Sequence, residues 1–504
     1  MKHHLRRILA CALMALMLFG IVPVPAAAAS FTDVPAGSWA EESISRCVAA
    51  GLFQGETATR FGMGKQMTRA AFTVVLCRFF GWELTTPAAP TYDDVQNTAK
   101  WYYSAVETAY AHGAITRQTE NFRPDDPITR EEMAVMLVRA LGYTTLAGQA
   151  QELELPFTDV TTNAGYIALA YDMGIINGTS DTTFSPDRTA TREQAAVMLM
   201  RLYDKYHAPA PARIGIAAGA EGGDWTDYEA VVVTGGRLSY SSSVQVTRPA
   251  EEREKKLLKA IDASGAQALL HVTGSNASLK GKIKETATAL LNTMRDAGYD
   301  GLYLDFPQLN AASQKKLIQL LEELKDRMNG APLYVEAEAP AWGTDAAKSD
   351  LQYHKLAAAA DRLVLRVAPY KETAGGFAVA PMEPLQEVYY AFSALREMVP
   401  AEKLGLLLTT PATAWKGSKQ EGTMTPAEIE AWLADEKPTQ QYYSDRYACA
   451  YLTRKEGTAT IVAWYLDGKA AAQRAQLCGL FGVDQVCFSD LDAVSAEVLA
   501  GLEK

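Results

Sequence analysis

Three arginines at a nearly constant spacing are the residues of this chain best suited to bind a charged ligand. Arg69, Arg130 and Arg192 are separated by 61 and 62 residues, and each follows a threonine. A guanidinium is a planar, permanently charged donor that matches both oxygens of a carboxylate. A threonine before it is typical of a helix start, where free backbone N–H groups also favour an anion. The pattern predicts three copies of a site for an acidic group, with structural ion pairing as the alternative.

Each arginine belongs to a longer repeat. The copies open with Phe-Thr-Asp-Val at 31–34, Tyr-Asp-Asp-Val at 92–95 and Phe-Thr-Asp-Val at 157–160. A unit of this length cannot bury its apolar face alone, so the copies must pack together as an all-α pseudo-trimer. A glycine and then a phenylalanine follow in every copy: Gly51 and Phe61, Gly113 and Phe122, Gly174 and Phe184.

Each copy is predicted to fold as helix, loop, helix. In the second copy, apolar residues at helical spacing over 101–112 end at Gly113, which has the position of a C-cap. Thr129 then precedes a helix over 130–141, and Glu132 completes a capping box. Thr191 with Gln194 repeats this device, whereas the first copy has Ala71 in place of the acidic partner.

Aspartates and tryptophans of the repeats are further candidates for ligand contact. Asp33, Asp94 and Asp159 come from the opening motif, and their alternative role is to cap the backbone. Trp39 and Trp101 have the position of an aromatic that stacks on a sugar ring, and their alternative role is to fill the core of the trimer. The third copy is shorter and has no tryptophan, so we do not expect all three copies to bind alike.

This pattern resembles the S-layer homology domain, in three tandem copies at 30–83, 91–145 and 156–205. The resemblance implies non-covalent attachment to the secondary polysaccharide of a Gram-positive-type cell wall, often a pyruvylated one. It also implies that the aspartates, tryptophans and arginines named above contact that polymer. The protein is therefore expected to be secreted and held in the cell wall or S-layer.

The amino terminus and the charge balance agree with export. Residues 1–29 combine a basic start, an apolar run and a small-residue end, as in a cleaved signal peptide; an uncleaved anchor is the alternative. No later run reaches about 18 apolar residues, so we expect no membrane span in the mature chain. The formal charge of -11 and the absence of a basic stripe argue against nucleic acid as a partner.

The five cysteines that remain after removal of the signal peptide are predicted to be buried small hydrophobes, because they are odd in number and scattered. A Cys47–Cys77 bridge is the alternative. No metal-ligand spacing, serine-hydrolase motif or phosphate loop is present, so neither a metal nor a cofactor is expected. The five are Cys47, Cys77, Cys449, Cys478 and Cys487.

A different composition follows a short proline-containing linker at 206–212. From 213 to 504, eight apolar strand-like runs alternate with amphipathic helices such as 281–297 and 311–328, which predicts an α/β (β/α)₈ TIM barrel. An inserted hairpin is predicted at 447–465, with its turn at Gly457. The eight runs are 214–218, 230–234, 268–272, 302–306, 333–337, 363–368, 404–409 and 485–488.

The segment 300–307, Asp-Gly-Leu-Tyr-Leu-Asp-Phe-Pro, resembles the fourth strand of glycoside hydrolase family 18, in its spore-cortex and wall-lytic branch. Members of the family use a final glutamate as general acid while the acetamido group of the substrate attacks the anomeric carbon. Here Pro307 has the position of that glutamate and Tyr303 that of the middle aspartate. Ala368-Pro369 replaces a Tyr-Asp pair, and Phe488 corresponds to a tryptophan on the last strand. By this mechanism the barrel should be inactive.

Other carboxylates could replace the missing acid. Glu336 and Glu338 flank the end of the fifth run, where barrel strands face the catalytic mouth, and Asp305 could act as partner. Asp305 has a buried structural role as its alternative. Trp342 and Trp415 are candidates to line a glycan groove, with core packing as the alternative.

Three functions remain open from the sequence. The first is a wall-anchored protein whose barrel has lost glycosidase activity and binds an N-acetylated glycan such as peptidoglycan, or has a structural role. The second is an active peptidoglycan- or chitin-type glycosidase with a relocated carboxylate. The third is a protein-interaction platform, in which the repeats supply all glycan contact.

Overall fold

A computed structural model describes residues 31–349, 351–436 and 438–503. The predicted export signal at 1–29 lies outside the described residues. The chain forms two compact units. The first contains the chain up to Gly142 together with 185–203, and the second contains 143–184 together with the chain from Asp204 onward. The first half of the third repeat therefore belongs to the same unit as the barrel.

The repeats are helical, as predicted. A glycine two residues beyond the end of each first helix lies in the left-handed region, with φ of 71° at Gly51, 72° at Gly113 and 66° at Gly174. The helices are α1 Glu41–Ala49, α2 Arg69–Phe79, α3 Tyr103–Ala111, α4 Arg130–Ala140, α5 Thr144–Gln149, α6 Ala164–Asp172 and α7 Arg192–Tyr206.

The caps of the second helices follow the sequence closely. Thr129 and Glu132 form the predicted capping box at the start of α4. Thr68 caps α2 through the N–H of Ala71 alone, as expected without an acidic partner. In the third copy, Gln194 accepts the N–H of Thr191 at 3.1 Å. The hydroxyl of Thr191 is buried without a hydrogen-bond partner, so only half of that capping box is present.

Three backbone hydrogen bonds join the repeats in a closed cycle within the first unit. Met67 N–H donates to Ala190 O at 2.9 Å, Ile128 N–H to Met67 O at 2.8 Å, and Ala190 N–H to Ile128 O at 3.0 Å. Each of these residues stands two positions before one of the repeated arginines. The sequence repeat is therefore a pseudo-threefold arrangement in space.

The second half of the chain contains sixteen strands within its described residues. They are β1 Ala212–Ala217, β2 Ala230–Tyr240, β3 Val244–Thr247, β4 Gln267–Thr273, β5 Gly301–Asp305, β6 Leu333–Glu338, β7 Arg362–Arg366, β8 Glu372–Ala374, β9 Phe377–Val379, β10 Leu404–Leu408, β11 Ala412–Lys416, β12 Lys419–Met424, β13 Thr439–Ser444, β14 Cys449–Glu456, β15 Ala459–Tyr465 and β16 Gln485–Phe488.

Eight parallel strands close into a barrel, which confirms the predicted fold. Their order around the barrel is β1, β2, β4, β5, β6, β7, β10 and β16, and β16 pairs back with β1. All eight predicted apolar runs are barrel strands. The helices of this half are α8 Glu251–Ser264, α9 Ile283–Ala297, α10 Ala311–Arg327, α11 Tyr353–Ala359, α12 Leu385–Leu395, α13 Pro426–Ala434, α14 Gly468–Phe481 and α15 Ala496–Leu502.

A five-stranded antiparallel sheet is inserted between β10 and α14, in the order β12, β11, β15, β14 and β13. The predicted hairpin is its β14–β15 pair, which turns at Gly457 with φ of 62°. The other three strands were not predicted; β12 is exposed over most of its length, β13 has no buried residue, and β11 is mostly buried.

Arg474 on α14 connects the insertion to the barrel. Its side chain is 0% exposed and donates to the carbonyls of Met382, Glu383, Ala448 and Ala470 at 2.6 to 2.9 Å. Glu383 and Ala448 have φ of 34° and 50°, a region that non-glycine residues rarely adopt. The buried guanidinium therefore satisfies the carbonyls of two unusual turns at once.

The five cysteines are free and buried, as predicted, so Cys47 and Cys77 are not bridged. None of the helices in the described part of the chain has the length and hydropathy that a bilayer-spanning segment needs.

Candidate functional site

The aspartates of the opening motif hold the phenylalanine loops. Asp33 accepts the N–H groups of Phe61, Gly62 and Met63 at 2.7 to 3.0 Å. Because these bonds occupy the carboxylate, the backbone-capping role is the one the structure favours for this residue. The equivalent bonds join Phe122 N to Asp94 Oδ1 at 2.7 Å and Phe184 N to Asp159 Oδ1 at 2.8 Å.

Hydrogen bonding also sets the ionisation of Asp33. Burial alone would raise the pKa of this carboxyl, but the N–H groups of Phe61, Gly62 and Met63 favour the charged form. The net result is a pKa below the usual value. The first loop therefore depends on a charged Asp33.

Arg69 reaches from the first repeat into the second. Its Nε donates to Phe122 O at 2.8 Å, and its guanidinium carbon stands 4.9 Å from the centre of the Phe122 ring. Its Nη1 lies 2.6 Å from Glu132 Oε1, and the other oxygen of Glu132 accepts the N–H of Thr129. Arg123 Nη2 lies 2.5 Å from the same Glu132 Oε1 atom, so this carboxylate is shared between two guanidinium groups.

Arg192 makes the corresponding contact from the third repeat to the first. Its Nε donates to Phe61 O at 3.0 Å and its Nη2 to Gln54 O at 2.8 Å. Its guanidinium carbon lies 4.8 Å from the centre of the Phe61 ring. These direct partners are carbonyls and a ring face, while the carboxylates of Glu56, Asp33 and Glu193 act on the charge of Arg192 from further away.

The expectation that free N–H groups at the helix starts assist binding is wrong. Arg69, Arg130 and Arg192 begin α2, α4 and α7, but each backbone N–H is already bonded to a carbonyl of another repeat. These long-range bonds could not be read from the sequence around each helix. They run from Arg69 to Asp126 at 3.0 Å, from Arg130 to Arg188 at 3.0 Å and from Arg192 to Lys65 at 2.9 Å.

Both candidate tryptophans of the repeats are on the surface. Trp39 is 62% exposed and Trp101 is 64% exposed, which excludes the alternative that they fill the core of the trimer. Trp101 packs edge-to-face on Tyr102, with ring centres 5.3 Å apart. Large exposed aromatic faces of this kind are suited to stacking on sugar rings.

At the barrel mouth, the structure brings Asp305 and Glu336 together around Arg366. Arg366 Nη1 lies 2.5 Å from Glu336 Oε1 and 3.6 Å from Asp305 Oδ1. The hydroxyl of Tyr303 donates to Glu336 Oε2 at 2.8 Å. The Glu336 side chain is only 5% exposed. Both of its oxygens are therefore engaged inside the barrel.

Burial dominates the electrostatics of this cluster. It raises the pKa of Glu336, Asp305 adds to the rise, and Arg366 and Tyr303 only partly oppose it. Burial also lowers the pKa of His271, whose ring centre is 5.5 Å from that of Tyr303. A carboxyl with a raised pKa is a property of general acids, although buried ion pairs show it too.

Two positions carried over from the family pattern lie away from this cluster. Pro307 is exposed beyond the end of β5. Phe488 does not face the barrel interior: Cys487 does, and Phe488 packs on Tyr228 with ring centres 6.1 Å apart. Neighbouring strand residues point to opposite faces, so Phe488, which corresponds to a tryptophan of the family pattern, does not line the barrel interior.

Asp300, by contrast, supports the start of its strand. Its carboxylate accepts the N–H of Ala268 at 2.7 Å.

Arg366 was not identified from the sequence. A charged residue at the end of an otherwise apolar run was the available signal, because the ends of barrel strands line the mouth.

The other candidates divide between surface and core. Glu338 is exposed at the end of β6, and its carbonyl accepts the hydroxyl of Tyr353. Trp342 is half-buried beside Tyr390, with ring centres 5.5 Å apart. Trp415 is buried in the inserted sheet with Lys371 over its ring, which is a packing role and not that of an open sugar platform.

Comparison with known proteins identifies the repeats. The family model of the S-layer homology domain matches residues 30–73, 91–134 and 156–196. The three repeats are S-layer homology domains. An endoglucanase from Bacillus sp. (strain KSM-635) is 33% identical over 177 residues, which are 34% of this chain and 18% of the relative. S-layer protein EA1 from Bacillus anthracis is 32% identical over 206 residues, which are 40% of this chain and 23% of the relative.

This chain thus spans less than a quarter of the length of these curated relatives. S-layer homology domains, with S-layer proteins among the relatives, indicate a surface protein attached to the cell wall of a Gram-positive-type bacterium.

The barrel has its own structural relatives. A chitinase from Chromobacterium violaceum aligns with a TM-score of 0.51 at 16% identity, covering 58% of this chain and 100% of that chain. At this identity the likeness establishes the barrel fold alone. The spore cortex-lytic enzyme SleL from Bacillus cereus aligns with a TM-score of 0.49 at 11% identity, covering 58% of this chain and 73% of that chain.

Proposed function

We propose that the S-layer homology domains attach this protein to the secondary polysaccharide of the wall. We further propose that the barrel has lost glycosidase activity and holds an N-acetylated glycan such as peptidoglycan. The observation that supports the loss of activity is the contact of Glu336 with both Tyr303 and Arg366. A general acid must release its proton to a leaving group, and this carboxyl faces protein partners instead.

The residue replacements support the loss of turnover. A proline in the place of the acid has no proton to transfer, and Tyr303 occupies space inside the barrel where the family pattern has an aspartate. A positioned general acid contributes about 10²–10⁴-fold in rate, and none of that is available from Pro307.

The anchoring proposal rests on charge and exposed aromatic surface. Arg192 is oriented by carbonyls and retains its charge, so it suits a carboxylate on the polymer, such as that of a pyruvylated sugar. Trp39 and Trp101 offer exposed faces for the sugar rings. Arg69 and Arg130 belong to the equivalent positions, with Arg69 already paired to Glu132.

An active hydrolase is the second candidate function. It is favoured by one observation, namely that Glu336 has a raised pKa and lies beside Asp305 at the mouth of the barrel. In this scheme Glu336 would act as the acid after Arg366 moves away from it.

Turnover by the full-length protein tests both candidates. We expect no release of reducing ends from peptidoglycan or chito-oligosaccharides, but measurable binding of the same glycans that weakens in Trp342→Ala. Turnover that disappears in Glu336→Gln or Glu338→Gln would overturn the proposal in favour of the hydrolase. Neither binding nor turnover would instead favour a protein-interaction platform.

A further inference from the structure

The third S-layer homology domain is joined to the barrel by a partly buried polar cluster. Asp172, at the end of α6, accepts hydrogen bonds from the hydroxyls of Tyr389 and Ser393, each at 2.6 Å. Arg396, just beyond α12, pairs with Asp172 at 2.8 Å. All four residues belong to the second unit. One carboxylate of the repeat therefore receives three donors from the barrel.

An open cavity of about 540 Å³ lies beside this cluster. The guanidinium of Arg396 stands 4.4 Å from the centre of the Tyr171 ring and donates to Tyr171 O at 3.3 Å. Tyr171 in turn packs edge-to-face on Phe157 at 4.9 Å. The lining includes Phe157, Tyr171, Asp172, Asn177, Asp181 and Glu397.

The second repeat shows what the barrel adds. Tyr110 and Tyr171 are equivalent, because each stands three residues before the C-cap glycine and its carbonyl accepts the N–H of that glycine. Tyr110 is 41% exposed, with Tyr92 at 6.2 Å. In the third repeat, Arg396 of the barrel lies over one face of the corresponding ring, and Tyr171 remains partly exposed. The cavity beside the third repeat is thus built from both the repeat and the barrel.

The charges around this cavity favour a different ligand from that proposed for Arg192. Arg396 is compensated by Asp172, while Asp181 and Glu397 add two further carboxylates. A carboxylated sugar would be repelled. Planar polar groups beside an aromatic ring are suited to the hydroxyls and apolar faces of an uncharged sugar.

We propose that this cavity, built by Tyr171 and Asn177 of the repeat with Arg396 of the barrel, binds an uncharged saccharide. The site is independent of the anionic polymer assigned above to Arg192, so one molecule contacts two classes of wall sugar. The cavity has the volume of a small-ligand site.

Hydrogen–deuterium exchange of the full-length protein tests the proposal by location. Tetra-N-acetylchitotetraose at millimolar concentration should slow exchange in peptides covering 174–181 at least threefold, and tri-galacturonate should not. Tyr171→Ala should abolish this protection, whereas Tyr110→Ala, its match in the second repeat, should leave it unchanged. Exchange of α12 in the absence of ligand reports whether the Tyr171→Ala variant remains folded. Arg396→Met is a second variant that should also abolish the protection.

Absent protection at 174–181, equal protection by both probes, or protection that survives both Tyr171→Ala and Arg396→Met would overturn the proposal. Cosedimentation with wall sacculi is measured on the same samples. If the parent protein shows protection at 174–181 but does not cosediment with sacculi, the anchoring proposal alone fails. If it cosediments but shows no protection at 174–181, the cavity proposal alone fails.

Discussion

Glu132 Oε1 lies 2.6 Å from Arg69 Nη1, across the boundary between the first and second repeats. The same carboxylate also completes the capping box of α4. One side chain therefore fixes a helix start and the contact between two domains. Variants of the repeated arginines must consequently be judged on folding as well as on binding.

The arginines are expected to differ in their effect on wall binding. Arg192→Ala should weaken cosedimentation with sacculi about tenfold or more, because it removes a charge that carbonyls orient but do not cancel. Arg69→Ala should weaken it less, and the triple Arg69, Arg130 and Arg192→Ala variant should abolish it. Arg295→Ala on α9 is the control, and unchanged cosedimentation of the triple variant would refute the assignment.

Trp39→Ala and Trp101→Ala should separate binding from stability. Both side chains are mostly exposed, so each variant should keep its melting temperature within about 2 °C of the parent, since surface changes are usually within about 0.5 kcal/mol. Affinity for sacculi should fall several-fold in the double variant. A melting temperature that drops sharply would instead mean a structural role.

Asp33 should stabilise the fold in a pH-dependent way. Its lowered pKa means that its contribution is present above the unfolded pKa of about 3.9 and is lost as pH falls through the folded value. Asp33→Ala should cost about 1–3 kcal/mol at pH 7, because it leaves backbone N–H groups unpaired, and less at pH 3. Urea unfolding at both pH values measures this difference, with the exposed Asp93→Ala as control.

Glu336 should show the opposite pH dependence. Its raised pKa means that its contribution is fully present below the unfolded pKa of about 4.3 and is lost as pH rises through the folded value. The free energy of unfolding of the parent relative to Glu336→Gln should therefore fall with rising pH. Chemical denaturation between pH 4 and 8 checks the slope, and a difference that rises with pH would contradict a raised pKa.

Removing Arg474 should loosen the insertion. Arg474→Met removes the donor from the buried carbonyls of Met382, Glu383 and Ala448, at about 1 kcal/mol or more each, so we expect a loss of roughly 3 kcal/mol. Arg446→Met, on a surface arginine above Tyr447, should cost less than about 1 kcal/mol. Similar unfolding midpoints for the two variants would show that the four carbonyl contacts add little.

The barrel was predictable because its strands carry their own signal. A parallel strand covered on both sides is a short continuous apolar run, and each of the eight runs became such a strand. The inserted sheet gives no such signal, since β12 is exposed over most of its length and reads as a loop. Only β14 and β15, which contribute Leu452 and Ala463 to a buried cluster, were visible beforehand.

The site residues were harder to predict because their partners are distant in sequence. Arg192 was identified as important, but its contact with Phe61 spans 131 residues, so nothing local indicated it. Arg474 was not singled out from the sequence. An arginine on a helix is usually a solvated residue, and only the fold reveals carbonyls from Met382 to Ala470 around it.

The cycle that links Met67, Ile128 and Ala190 makes the first repeat depend on the third for its completion. The N–H of Met67 finds its acceptor 123 residues later in the chain. The first repeat therefore cannot complete its backbone hydrogen bonds until the third repeat is present beside it. A chain truncated before Ala190 would lack both an acceptor for Met67 and a donor for Ile128.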